Sequence, residues 1–145
     1  MTNTQLETAS DQGAAPLTLG AITHVALTVS DLPRSVAWYQ RLVGAEPALD
    51  EDTGPFHHTV FALGGTLLGL HAFPDPVSGP AFDPRRPGLD HVAFTVADRA
   101  ELVRWSERLD ELGVAYSEIV DAHYGSGLSF KDPDGLALEL FCPPA

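Results

Sequence analysis

Two copies of one short motif decide the fold of this chain. The first copy reads His24-Val-Ala-Leu-Thr-Val-Ser-Asp31, and the second reads His91-Val-Ala-Phe-Thr-Val-Ala-Asp98. Six of the eight aligned positions are identical, and the two copies lie 67 residues apart. Self-similarity at a fixed spacing indicates a repeated structural unit. The chain therefore consists of two related halves.

Each copy of the motif predicts a strand that leads into a helix. Alternating polarity with β-branched residues is typical of a strand. In the first half, Ser30 or Asp31 caps the following helix and Gly44 ends it. In the second half, Asp98 is the expected cap and Gly113 the expected end.

Three short strands are predicted after each helix. Their approximate positions are 45–51, 56–63 and 66–73 in the first half, and 114–121, 125–131 and 136–142 in the second. Each half is therefore a βαβββ module, and the fold class is α+β. Since one helix covers only one face of such a sheet, the other face remains for a ligand, for the other half or for another chain.

The chain length of 145 residues corresponds to one domain made of two small modules. Residues 1–19 are expected to form a disordered leader, and residues 20–145 the single domain. Within it, module one spans about 20–74 and module two about 88–143. A linker rich in Pro, Gly and Asp covers about 75–87.

The charge of the chain excludes several classes of partner. Twenty acidic residues against eight basic ones give a net charge of −12, and Lys131 is the only lysine. This balance argues against binding to nucleic acid or to an anionic membrane surface. No apolar run approaches the ~20 residues of a membrane span, and the first residues do not resemble a secretory signal, so we expect a cytoplasmic protein. The single cysteine, Cys142, excludes an intrachain disulfide.

Three residues stand out as candidate metal ligands. His24 and His91 hold equivalent places on the first strand of each half, where pseudo-symmetry would bring them together. Glu139 is an isolated acid in the apolar strand 136–142, and a buried carboxylate is costly unless paired or metal-bound. Two imidazoles and one carboxylate are typical of a divalent-metal site with open positions. The alternatives are hydrogen-bonded strand histidines and a solvent-exposed Glu139.

The sequence resembles the vicinal oxygen chelate superfamily, which includes glyoxalase I, bleomycin-resistance proteins, fosfomycin-resistance enzymes, methylmalonyl-CoA epimerase and extradiol dioxygenases. The resemblance rests on the segments 24–39, 89–94 and 130–141 and covers about residues 20–143. It implies that the paired modules form a cupped mixed sheet around a central metal. It also implies His24, His91 and Glu139 as ligands of a divalent ion, with Fe(II) favoured and Mn(II), Zn(II), Ni(II) or Co(II) as alternatives.

Departures from the family pattern bear on the reaction. Gly69 aligns opposite Glu139, at the place where glyoxalase I has a second acid. Two residues on, His71 resembles a catalytic histidine of the extradiol dioxygenases, with a pocket or core histidine as the alternative. Ser129 stands where extradiol and fosfomycin-resistance enzymes have tyrosine, so Tyr124 is a candidate to supply a hydroxyl.

Further residues are expected to line a substrate pocket. The histidines His57 and His58 are adjacent and point to opposite faces of a strand, so one of them can reach the site. Aromatic side chains wall an apolar pocket, although aromatic strand residues also pack in cores. The predicted pocket set is His57, His58, Phe61, His123, Ser129 and Phe141, and Phe56 and Phe73 are further candidates for its wall.

The favoured function is a metal-dependent enzyme with dioxygenase-like chemistry on a small organic substrate chelated through oxygen. One alternative is a metal-assisted isomerase, epimerase or lyase of the glyoxalase type. Another is a non-catalytic drug-binding protein of the bleomycin-resistance type. An acidic surface would suit such a protein, because it can hold a cationic drug. By resemblance we expect a homodimer, in which modules are exchanged or retained within each chain.

Overall fold

Each half of the chain folds as a strand, a helix and three further strands. The computed structural model describes residues 13–145, and residues 1–12 of the predicted leader lie outside it. The first module contains β1 (His24–Thr28), α1 (Leu32–Val43), β2 (Leu49–Asp52), β3 (His57–Leu63) and β4 (Thr66–Ala72). The second contains β5 (Val92–Thr95), α2 (Arg99–Leu112), β6 (Val120–Ala122), β7 (Gly125–Lys131) and β8 (Ala137–Cys142). The predicted βαβββ pattern is confirmed in both halves.

The two four-stranded sheets have equivalent strand orders, β1-β4-β3-β2 and β5-β8-β7-β6. In each sheet the first strand pairs parallel with the last, and the other pairs are antiparallel. Ala26 lies opposite Gly69 in the first sheet, and Ala93 lies opposite Glu139 in the second. Gly69 and Glu139 therefore hold equivalent positions, as the sequence alignment predicts. Strands β1 and β5 are edge strands.

The helix ends follow the sequence predictions. Asp31 Oδ1 accepts a hydrogen bond from the Arg34 backbone N–H, and Asp98 Oδ1 accepts one from Glu101. The helices end at Gly44 and Gly113, which adopt left-handed backbone conformations. Neither helix in the described residues has the length and apolar character needed to cross a membrane.

The strand predicted over 114–121 is much shorter in the structure. Strand β6 covers only Val120–Ala122, and the preceding segment meets β7 through a single bridge between Tyr116 and Phe130. The hydroxyl of Ser117 accepts a hydrogen bond from the Ser129 backbone N–H at 2.9 Å. A side-chain acceptor thus replaces a ladder bond at this position, and regular pairing stops.

Each sheet buries one face and leaves the other open. The helices cover the faces that carry Phe61 and Leu70 in the first module and Leu128 in the second, all fully buried. On the opposite faces, alternate residues of the edge strands are exposed, among them His24 and Thr95. We call these uncovered surfaces the open faces. The buried faces of both modules belong to one continuous core.

A contact between the turn 132–135 and helix α1 joins the two modules. The buried Tyr39 hydroxyl donates a hydrogen bond to Asp132 Oδ2 at 2.9 Å. Asp132 Oδ1 accepts from the backbone N–H groups of Asp134 and Leu136. Burial, followed by the nearby Asp132 charge, raises the pKa of Tyr39, and burial also raises the pKa of Asp132. This buried polar contact therefore depends on Tyr39 as the donor.

We expect Tyr39→Phe to lower the free energy of unfolding by about 1–3 kcal/mol, because it leaves a buried carboxylate oxygen without its donor. Urea unfolding measures this loss. Tyr116→Phe is a matched control, because the Tyr116 hydroxyl donates to Asp110 at the surface, and we expect less than about 0.5 kcal/mol there. Equal losses in the two variants would contradict the buried role of Tyr39.

Candidate metal centre

Two of the three predicted ligands meet on the open face of the second module. His91 directly precedes β5, and Glu139 lies in the neighbouring strand β8, opposite Ala93. Nε2 of His91 lies 3.3 Å from Oε2 of Glu139. Both side chains are partly exposed in the described part of the chain, residues 13–145. An imidazole nitrogen and a carboxylate oxygen therefore converge on the same space.

The His91 ring is oriented by a second carboxylate. Its Nδ1 donates a hydrogen bond to Asp90 Oδ1 at 2.7 Å, which directs Nε2 toward Glu139. This bond is the main cause of the raised pKa of His91, and the Glu139 charge adds to it. A carboxylate behind an imidazole is the usual arrangement that fixes the ring of a metal-bound histidine.

The Glu139 carboxylate lies over Gly127 of strand β7. A Cβ atom at position 127 would lie 2.5 Å from Oε1 of Glu139. The absence of a side chain at Gly127 thus provides the space that the carboxylate occupies. Neither Gly127 nor Asp90 was among the residues predicted for the site. Asp90 was detectable as an acid adjacent to a candidate ligand, whereas the role of Gly127 depends on strand register.

The third predicted ligand, His24, lies on the open face of the first module. Its Nδ1 lies 3.0 Å from the Thr23 hydroxyl, which leaves Nε2 available. Within residues 13–145, no group of three or more His, Cys, Asp or Glu side chains is placed to hold a metal ion. One chain therefore brings His91 and Glu139 together but does not bring His24 to them.

The donor set itself fits a divalent transition metal. In both His91 and His24, Nδ1 is hydrogen-bonded to the preceding residue. Among the described residues, Nε2 of His91 contacts only Glu139, and Nε2 of His24 has no hydrogen-bond partner. Neutral imidazole and carboxylate ligands suit Fe(II), Mn(II), Co(II), Ni(II) and Zn(II) alike. His91 and Glu139, with the space made by Gly127, thus supply two donors of the kinds that such an ion takes, and His24 offers a third donor on the other open face.

His71 takes the place over Gly69 that a side chain at position 69 would fill. Its Nε2 lies 3.4 Å from the position of a Cβ atom at Gly69. Burial, followed by the charges of His58 and His24, lowers the pKa of His71. A neutral imidazole on the same open face as His24 is therefore available to accept a proton.

The adjacent histidines of strand β3 point to opposite faces, as expected. His58 lies on the open face opposite His71, with Nε2 3.4 Å from a Glu51 carboxylate oxygen. His57 lies on the other side and pairs with Asp50 at 2.5 Å. Phe61, predicted to line the pocket, is a core residue. It is fully buried because strand alternation puts it on the helix-covered face, together with His57. His58 and Val60, which lie three and one positions before it in the strand, point to the open face.

The remaining predicted pocket residues lie on the second module. Ser129 is exposed on its open face, directly opposite Glu139. Tyr124 is 64% exposed and stacks on Phe141 with ring centroids 6.4 Å apart, and His123 packs edge-on against Tyr124. Phe141 follows Glu139 by two residues in β8, so these rings lie at the end of the sheet beyond Glu139.

Comparisons with known proteins agree with this architecture. The chain is 32% identical over 128 residues to the Bacillus subtilis protein YwkD, covering 85% of this chain and 97% of that protein. It is 29% identical to the metallothiol transferase FosB of Staphylococcus saprophyticus, covering 83% and 75%. It is 27% identical to biphenyl-2,3-diol 1,2-dioxygenase 3 of Rhodococcus globerulus, covering 82% and 61%.

A solved structure and a family model extend the agreement to nearly the whole domain. A glyoxylase/bleomycin resistance protein/dioxygenase domain from Frankia superposes with a TM-score of 0.77 at 30% identity, covering 88% of this chain and 94% of that one. The family model of the Glyoxalase/Bleomycin resistance protein/Dioxygenase superfamily matches residues 21–140. The repeated βαβββ modules, the equivalent strand orders and these matches establish that the chain belongs to that superfamily.

Proposed function

We propose that this protein is a metal-dependent, dioxygenase-like enzyme that acts on a small organic substrate bound through two oxygens. In this proposal the metal centre forms between two copies of the chain. His24 of one subunit combines with His91 and Glu139 of the partner subunit. The observation that carries the proposal is the division of the ligand set: a histidine–carboxylate pair on one open face and a single histidine on the other.

The uncovered surfaces support a second copy as the missing part of the site. The open faces expose apolar side chains, among them Leu67 at 43% and Val120 at 64%. Among the described residues, the edge strands β1 and β5 each have one side without a paired strand. Unpaired edges and exposed apolar residues on one surface are typical of an interface. In the proposed two-fold dimer, the first module of each chain lies against the second module of the other.

The chain's own residues have separate tasks at such a centre. A bound divalent ion supplies Lewis-acid or oxygen-activating chemistry next to the substrate. Asp90 holds the His91 ring in place, and Gly127 leaves room for the Glu139 carboxylate. His71 accepts or returns a proton at Nε2, the atom that lies over Gly69.

The absence of a side chain at Gly69 favours the oxygenase reaction over glyoxalase-type proton transfer. Glyoxalase I has a second acid at the position of β4 that is equivalent to Glu139 in β8, and this chain has Gly69 there. Two imidazoles and one carboxylate leave coordination positions free for both a substrate and dioxygen. The imidazole of His71 occupies the space over Gly69 instead. It is an acid–base group that adds no negative charge there, unlike a second carboxylate.

Anaerobic purification followed by elemental analysis tests the first part of the proposal. We expect one divalent ion per chain, and oxygen uptake by the iron-loaded protein with a catechol, a hydroxyquinol or a 2-oxo acid. Protein that purifies without stoichiometric metal and still binds a cationic drug after chelation would support drug sequestration instead. Stoichiometric metal without oxygen uptake would support the isomerase or lyase reaction.

Single substitutions of the ligands test the site assignment. We expect His91→Ala and Glu139→Ala each to weaken metal binding by more than about 100-fold, because each removes one of three ligands. His57→Ala is a matched control, since this imidazole lies on the opposite face of its sheet and pairs with Asp50. Isothermal titration with Mn(II) measures the affinity. Unchanged affinity in either ligand variant would remove that residue from the site.

A further inference from the structure

A groove runs along helix α1 at the boundary between the two modules. One wall is the face of α1 that carries Arg34, Trp38 and Arg41, and the other is formed by segments 113–117 and 129–133 of the second module. The groove has a volume of about 950 Å³, which lies within the range of small-molecule sites. We call it the α1 groove.

Basic residues are concentrated in the α1 groove. Three of the eight basic residues of the chain line it, namely Arg34, Arg41 and Lys131, although the net charge of the chain is −12. Among the described residues that line the groove, Asp132 is the one acid, and its carboxylate accepts hydrogen bonds from the Tyr39 hydroxyl and from two backbone N–H groups. The groove therefore has a local excess of positive charge.

Two of these three cations have no acidic partner. Among residues 13–145, neither Arg41 nor Lys131 forms an ion pair, and Arg34 reaches Asp134 only at 3.5 Å. The basic residues outside the groove have acceptors of their own: Arg85, Arg99, Arg104 and Arg108 pair with acids, and Arg86 donates to a backbone carbonyl oxygen. A guanidinium or ammonium group without an acid is available for charge-assisted hydrogen bonds to an anion.

Apolar side chains form the floor of the groove between these cations. Trp38 lies on α1 between the two arginines of that wall, and its ring centroid is 6.3 Å from that of Phe130. Val114 and Tyr116 line the opposite wall. These apolar side chains are partly or fully buried, whereas the three cations are exposed. An apolar floor below a cationic rim is complementary to a molecule with an apolar body and one anionic end.

We infer that the α1 groove binds a small amphipathic anion, an apolar chain that ends in a carboxylate. The chain lies over Trp38 and Val114, where it buries apolar surface, and the carboxylate pairs with the cations at the rim. The planar guanidinium of Arg41 matches a carboxylate through two parallel hydrogen bonds. This ligand needs no metal, because none of the proposed metal ligands lines the groove.

The charge of the whole chain distinguishes binding in the groove from nonspecific binding. A net charge of −12 attracts cations and repels anions at long range. Nonspecific binding of an amphiphile to this surface therefore favours a cationic head group. Binding in the α1 groove favours an anionic one.

Matched amphiphiles separate these two kinds of binding. Octanoate and octylammonium share an apolar chain and differ in the sign of the charge, and acetate has the carboxylate without the long chain. In isothermal titration of the wild-type protein, we expect octanoate to bind about tenfold or more tightly than either of the others. We expect the same octanoate affinity in metal-free and in Mn(II)-loaded protein. No measurable binding of octanoate, equal or tighter binding of octylammonium or acetate, or octanoate binding that needs Mn(II) would overturn the inference.

Substitution of Arg41 tests whether the carboxylate binds in the groove. We expect Arg41→Gln to weaken octanoate binding by about tenfold and to leave octylammonium binding no weaker than in the wild-type protein. Arg104→Gln is the matched control, because it removes the same charge from α2, where Arg104 pairs with Glu101 outside the groove. We expect wild-type octanoate affinity in that variant. Equal losses in the two variants would show that octanoate responds to net charge alone, and would overturn the α1 groove as its site.

Discussion

A hybrid dimer of His24→Ala and Glu139→Ala subunits is expected to bind metal although neither parent dimer does. In the proposed dimer, each centre takes His24 from one subunit and the other two ligands from the partner subunit. The hybrid then has one centre that lacks two ligands and one that is intact. We expect about half of the wild-type metal content in the isolated hybrid, measured by elemental analysis.

Co-expression with two different affinity tags isolates the hybrid from both parent dimers. A hybrid of His91→Ala with Glu139→Ala subunits is the matched control, because every centre in it lacks one ligand and we expect no stoichiometric metal. If each chain assembled its own three ligands, the first hybrid would also contain no intact centre. Absence of metal in both hybrids, together with full metal in the wild-type dimer, would therefore refute the shared centre.

The largest loss of stability is expected from Gly125→Ala at the start of β7. A Cβ atom there would overlap the Phe141 ring and the backbone carbonyl oxygen of Cys142, and the backbone φ of +145° strains any residue other than glycine. Since a backbone atom of β8 cannot move aside without breaking the sheet, we expect a loss of about 3 kcal/mol or more in urea unfolding.

Gly64→Ala separates backbone strain from atomic overlap. Gly64 also has a positive φ, of +57°, but a Cβ atom there meets nothing within 4 Å. We expect a loss of about 1 kcal/mol in that variant. A loss in Gly125→Ala no larger than the loss in Gly64→Ala would mean that β8 yields to the added atom, contrary to the packing described above.

Gly127, two residues after Gly125 in β7, differs in what an added Cβ atom would meet. The atom that a Cβ would meet there is the end of the Glu139 side chain, which can rotate away without moving the backbone. A side chain at this position would therefore disturb the carboxylate and leave the sheet intact. On one strand, Gly125 is thus required by the packing of the sheet, and Gly127 by the position of the Glu139 carboxylate.

Local features of the fold could be predicted from the sequence because they depend on local chemistry. The repeat fixed the order of elements in both modules, and Asp31, Asp98, Gly44 and Gly113 marked the helix ends. The equivalence of Gly69 and Glu139 followed from aligning the two modules. The strand at 114–121 was predicted too long, because its composition did not indicate that the Ser117 side chain would replace a ladder bond.

The relation between the modules could not be predicted in the same way. The repeat makes His24 and His91 equivalent, but equivalence holds whether they meet within one chain or between two. The outcome depends on contacts between residues far apart in sequence, such as the bond from Tyr39 to Asp132 across 93 positions. Phe61 was misassigned for a related reason: alternation sorts a strand into two faces but does not say which face the helix covers.

The hydrogen bond between Tyr39 and Asp132 has a second role in the proposed dimer. In that dimer each chain gives its first module to one proposed centre and its second module to the other, so this contact joins the elements that carry the ligands of both. The turn 132–135 lies only a few residues before Glu139, and α1 begins shortly after β1, the strand that starts at His24. In that dimer, one phenol and one carboxylate thus connect the segment that carries Glu139 to the helix that follows β1.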